Sequence, residues 1–207
     1  MGDNMKQRLD KLKANFKLNK KILIFLFGLL AIGFIFGTVF ITMINSSDKE
    51  LVKDYIKNYI DNVNNINYSK SLINSLINNL GFILIIWLLG ISVIGIPLII
   101  FIYFTKAFTL GFSISSFILN YKTKGCLYAL IYVFPSQIIN IIMYTILTLY
   151  SLTFSFKIIY SLLNKSNLNF KNLTGKYFKI LLITIIITII SSLYDTFVIP
   201  NLLKKFV

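Results

Sequence analysis

ILIFLFGLLAIGFIFGTVFITMI, residues 22–44, decides the fold. It runs for 23 residues without a charge. About 18 or more apolar residues in a row suffice to cross the hydrocarbon core of a bilayer as a helix. The run is too long for the core of a cleaved leader, and no small-residue cleavage site follows it, so it is expected to be retained. The chain is 207 residues long and 57% hydrophobic. That exceeds the roughly 45–50% of an ordinary soluble domain. The excess lies in further long runs with few charges, which predict spans over 80–105, 107–121, 126–163 and 177–199. The expected fold class is therefore all-α: a polytopic membrane helical bundle of about five transmembrane helices, forming one domain over residues 1–207.

The 21 Lys and Arg outnumber the 7 Asp and Glu, for a formal charge of +14. In a soluble protein this balance would point to nucleic acid. Here the cations flank apolar runs without interleaved aromatics, so the partner they imply is the anionic lipid surface, with no nucleic acid. Lys6, Arg8, Lys11, Lys13, Lys17, Lys20 and Lys21 crowd the tail at 1–21. The positive-inside rule puts this tail in the cytoplasm, together with Lys165, Lys171, Lys176 and Lys179. The expected topology is N-in/C-out, although Lys204 and Lys205 then lie outside. Met5, Leu9, Leu12 and Phe16 form one helical stripe in the tail. That stripe suits an amphipathic helix on the inner surface, or simply a solvated tail.

The segment 45–79 then lies outside. Ser47 and Glu50 stand at capping-box spacing, with Asp48 in the first turn. Val52, Ile56, Tyr59, Val63, Ile66 and Ile73 form an apolar stripe opposite Asn, Asp and Lys, predicting an amphipathic helix. Such a stripe either packs on the protein's own spans or the outer leaflet, or it docks an extracytoplasmic partner. On the second reading Val52, Ile56, Tyr59, Val63 and Ile66 are partner-facing.

Inside the spans, Gly33 and Gly37 have the spacing that lets helices approach closely, within the chain or between copies of it as a homo-oligomer. Gly90 and Gly95 permit similar packing in the stretch WLLGISVIGIP at 87–97, and Pro97 is expected to kink the second span. Lys106 and Asp195 are the intramembrane charges. Asp195 is the only acid in any predicted span. Either it forms a buried ion pair or an ion-coupling site, or it is an interfacial acid offset by Lys204 and Lys205.

No enzyme is indicated. The chain has no histidine and a single cysteine, Cys126. It also lacks GxSxG, HExxH, CxxC and P-loop patterns. No catalytic residue, metal site or cofactor is expected. Cys126 reads as a packing residue.

WLLGISVIGIP at 87–97, KAFTLGF at 106–112, FPSQ at 134–137, YDTFVIP at 194–200 and the first-span glycine pair fall in a familiar order. In these landmarks the chain resembles the stage II sporulation protein M family of endospore formers. Ala107 departs from the pattern, standing where the family has glycine, and 45–79 is similar only in position and amphipathicity. The resemblance implies a non-enzymatic scaffold in endospore formation, in the mother-cell septal and engulfing membrane. Its implied partners are the peptidoglycan-degrading stage II sporulation proteins D and P, which thin the septal wall for engulfment of the forespore. The competing reading is a small transporter or permease subunit, suggested by the Gly- and Pro-interrupted second span with Lys106 and Asp195.

Overall fold

A computed structural model describes residues 2–62, 66–164 and 170–203, with side chains from Asn19 onward apart from those of Tyr132 and Phe134. Among the described residues every regular element is helical: α1 (Gly2–Met43), α2 (Ser46–Asp61), α3 (Tyr68–Ile91), α4 (Gly95–Tyr132), α5 (Phe134–Asn164), α6 (Phe170–Leu193), a π turn (Tyr194–Val198) and α7 (Ile199–Leu203). Five stretches are long and apolar enough to cross a membrane: Asn19–Met43, Tyr68–Ile91, Gly95–Ile131, Pro135–Asn164 and Phe170–Leu203. The outward faces are apolar, as lipid contact requires; Phe36 is 61% exposed and Leu88 58%.

Five spans are present, but their breaks differ from the sequence reading. The second ends at Ile91, not near Thr105. Ser92 is extended, its N–H bonds to Leu89 O, and Gly95 N–H bonds to Ser92 O. A β-carbon at Gly95 would strike the Leu89 carbonyl, so this hairpin needs a glycine there. Pro97 consequently sits in the first turn of α4, not as a kink in mid-span. The first-turn N–H groups of a helix have no intrahelical partner, so the missing donor costs nothing there. Pro135 and Pro200 are likewise the second residues of α5 and α7.

The third span is not the short 107–121 segment. It begins at Gly95 and carries Lys106 in its interior. Lys106 looked like a boundary because charges usually mark interfaces. At Lys122 the backbone leaves helical geometry (φ 51°, ψ −122°). The chain beyond it doubles back closely enough that a β-carbon at Gly125 would meet the Phe117 carbonyl.

The amphipathic helix α2 is shorter than 45–79, because residues 68–79 already belong to the second span. Its N-cap is Asn45, with no side-chain capping bond, so the Ser47–Glu50 capping box is not formed. The tail stripe Met5, Leu9, Leu12 and Phe16 lies outside the residues whose side chains are described.

Small residues set the helix spacing. A β-carbon at Gly33 would lie 2.9 Å from the Ala107 Cβ and 3.0 Å from the Phe104 carbonyl. One at Gly37 would collide with the Phe108 carbonyl, and one at Gly111 with the Phe34 carbonyl. Two small-residue ridges, Gly33/Gly37 on α1 and Ala107/Gly111 on α4, therefore interlock within one chain. Packing of this kind drives association where lipid removes any hydrophobic preference between helices. Phe40 closes the seam against Phe108, with ring centroids 5.4 Å apart. Ile22, Leu26, Ile83, Ile99, Leu147 and Leu181 join α1, α3, α4, α5 and α6 in one core.

Candidate functional site: a polar cavity under the amphipathic helix

α2 lies against the bundle by its apolar stripe. Ile56 and Ile60 are buried against Phe117, Ile199 and Leu203, with Val52, Tyr59 and Ile66 packed alongside. The set expected to face a partner thus packs inward, because a stripe beside an apolar bundle loses more water contact there than in solution. Val63 lies outside the described residues, and Ile73 belongs to α3. Leu51 and Tyr55 stand beside this stripe, both largely exposed. An apolar groove of about 440 Å³ runs between α2 and α4, lined by Leu51, Tyr55, Phe112 and Phe117.

Beside it is a polar cavity of about 460 Å³, bounded by α2, α3, α4, α5 and the π turn. Asn74, Asn78 and Asn79 line it from α3, Lys106 from α4, Gln137 from α5 and Asp195 from the π turn. Tyr55 and Tyr59 of α2 contribute to its wall. Lys106 and Asp195, far apart in sequence, thus share one cavity, and no ion pair joins them. The Lys106 ammonium sits over the Phe82 ring at 3.5 Å and 5.3 Å from the Tyr144 ring centroid.

Magnitudes show why the cavity must be polar. A cation at the bilayer centre costs about 2.5–3.5 kcal/mol on insertion scales. A cation–π contact returns about 0.5–2 kcal/mol. The cation–π contact therefore offsets only part of the cost, and the amides and hydroxyls that share the cavity lining keep the rest of the Lys106 surroundings polar. Asn79 fixes the floor: its Nδ2 donates to Ser192 Oγ (3.2 Å), and its Oδ1 accepts from the Tyr144 hydroxyl (3.1 Å). One amide thereby ties α3, α5 and α6 together.

Asp195 owes its place to the π turn, where the Ile199 N–H reaches back to the Tyr194 carbonyl. The wider turn accommodates Pro200, which has no N–H to give to an α-helical ladder.

The opposite end of the bundle is closed. The Tyr177 hydroxyl donates to the Trp87 carbonyl (2.8 Å) and accepts from the Ser151 hydroxyl (2.7 Å). Ser155 Oγ donates to the Gly90 carbonyl (2.7 Å). Tyr177 stacks between Phe154 and Trp87, at centroid distances of 4.6 Å and 5.7 Å. A side chain at Gly90 would overlap the Tyr177 hydroxyl and Ser151. Gly90 is therefore a gap into which α5 and α6 fit.

Asn79, Tyr144, Ser151 and Tyr177 were not singled out in the sequence. For Tyr144, Ser151 and Tyr177 a signal was present: polar residues recur along one face of the fourth and fifth spans at about one helical turn, a pattern hidden when only ionisable side chains are weighed; Asn79, on α3, lies outside it. Among the described residues no group of three Cys, Asp or Glu gathers to hold a metal. Cys126, read as a packing residue, is exposed.

Five apolar spans around a shared core, with a polar cavity at one end, define a multi-pass helical membrane protein. A family model described as Stage II sporulation protein M matches residues 22–200, and the chain belongs to that family. The match spans every landmark described above and places the chain among sporulation-related membrane proteins. No curated protein and no solved structure matches it significantly.

Proposed function

We propose that the protein is a non-enzymatic membrane scaffold in endospore formation, N-in/C-out, holding wall-degrading partners at the septum while the mother-cell membrane engulfs the forespore. Membership of the Stage II sporulation protein M family carries this reading. The partners are the stage II sporulation proteins D and P, and the groove between α2 and α4, with Leu51 and Tyr55 at its edge, is the surface offered to them. Deleting the gene and imaging sporulating cells tests the role. Engulfment is expected to stall with the two hydrolases dispersed from the septum. Normal engulfment with both hydrolases in place would overturn it.

A small transporter is the second reading, favoured by the cavity that Lys106 and Asp195 share. Flux into liposomes that is lost in Asp195→Asn would support it; absence of flux in both forms would remove it.

A further inference from the structure

α5 and α6 run antiparallel, and two hydrogen bonds fix their register. Ser191 Oγ donates to the Ser136 carbonyl (3.3 Å) near the cavity, and Ser151 meets Tyr177 at the closed end. Counting one turn inward from Ser136 on α5 and from Ser191 on α6 brings Asn140 and Thr188 to the same level. Both are fully buried, at 0% exposure. Neither the amide nitrogen nor the amide oxygen of Asn140 has a hydrogen-bond partner, and the Thr188 hydroxyl has none. The Thr148 hydroxyl, two turns further along α5, is unpartnered as well. These four polar atoms, and Ser136 Oγ nearer the cavity, thus lack protein partners, in surroundings where an unsatisfied polar group is expensive.

The chemistry of the four atoms selects the ligand. A bound cation would satisfy the Asn140 oxygen and the hydroxyl oxygens but would repel the amide N–H groups. An anion would do the reverse. Water both donates and accepts, and buried waters sit where they serve two to four such groups. The seam also has a source: Gln137 and Asp195, which line the cavity, stand next to Asn140 on α5 and one turn beyond Ser191 on the α6 side. At the other end the Tyr177 and Ser151 hydroxyls are both satisfied, and the Trp87 indole N–H is the one group of that network without a partner.

We infer that bound water fills the α5–α6 seam at Asn140 and Thr188 and joins it to the cavity, making a half-channel that opens only toward the α2 end. This goes beyond the scaffold role and does not depend on it. The protein is hydrated to its middle from one side and sealed on the other.

Silver ion, a thiol reagent close to water in size, tests this in sealed vesicles of the full-length protein. Single cysteines are placed in a Cys126→Ser background at Asn140, Thr188, the cavity residue Gln137 and the buried apolar Leu147. Lys57→Cys on exposed α2 marks the side. Thr188→Cys and Asn140→Cys are expected to react at least tenfold faster than Leu147→Cys, and only when silver is added on the Lys57 side. Adding Asn140→Leu to Thr188→Cys is expected to slow its reaction about tenfold, because the anchor for the water is gone. Reaction at Gln137 with rates at 140 and 188 no faster than at 147 would overturn the inference. So would equal reaction from both sides, or a Thr188→Cys rate indifferent to Asn140→Leu. Variants are compared only where they elute as monodisperse protein in detergent.

Discussion

The two ends of the bundle use similar side chains in opposite ways. At the closed end the Ser151, Ser155 and Tyr177 hydroxyls bond one another and the Gly90 and Trp87 carbonyls, filling the space that Gly90 leaves, with only the Trp87 indole N–H unpartnered. At the cavity end Asn74, Asn78, Gln137, Lys106 and Asp195 line a space larger than they need. Only Asn79 is tied to other spans at both ends of its amide. Polar groups in a membrane bundle are therefore not one category. Paired in a tight fit, they act as a clamp; arranged around a cavity, they await something from outside the chain.

The largest break in this contrast is expected from Gly90→Leu. Its side chain overlaps the Tyr177 hydroxyl and Ser151, so the closed end cannot form. Loss of monodisperse protein in detergent is the expected result, and ordinary yield with unchanged melting would show that the clamp yields easily. Gly37→Leu comes next, since α1 and α4 would be pushed apart at the Phe108 carbonyl. Overpacking of this kind costs about 1–3 kcal/mol or more. Unchanged expression and detergent stability would show that the face touches only lipid. Tyr177→Phe removes two hydrogen bonds while keeping the ring stack. Interhelical bonds in membranes average about 0.6 kcal/mol, so a loss of about 1 kcal/mol is expected by denaturant titration.

The smallest effect, and of opposite sign, belongs to the cavity. Lys106→Met removes a charge whose insertion cost exceeds its cation–π return by about 0.5–3 kcal/mol. Stability should stay level or rise by about that much. A fall of several kcal/mol would mean that Lys106 holds the bundle together, and the contrast between the two ends would fail. If stability holds while sporulating cells carrying Lys106→Met stall at engulfment, the cavity is a working part of the scaffold.

Much of the architecture was legible in sequence because lipid leaves the chain few choices: five long apolar helices follow from hydropathy alone. Where the helices break was harder. Lys106 looked like a loop residue because the aromatic rings that accept it, Phe82 and Tyr144, come from other spans. Ser92–Ile94 looked like the interior of a span because its residues are apolar enough, and only Gly95 and Pro97 hinted at the turn. The stripe of α2 was visible, but its direction was not. Val52 and Ile56 serve a core or a partner equally well until Ile199 and Leu203 are seen beneath them. The seam at Asn140 and Thr188 was periodic in the sequence, yet which hydroxyls find partners depends on the register of α5 against α6.

The π turn at Tyr194–Val198 holds one residue more than an α-helical turn would. In helical phase, it is a deliberate slip of about 100° between α6 and α7. Removing a single residue there would leave hydropathy and span length almost untouched. It would, however, rotate Ile199 and Leu203 off the core beneath α2 and swing Asp195 out of the cavity wall. One inserted residue thereby couples the seating of the external helix to the charge in the vestibule.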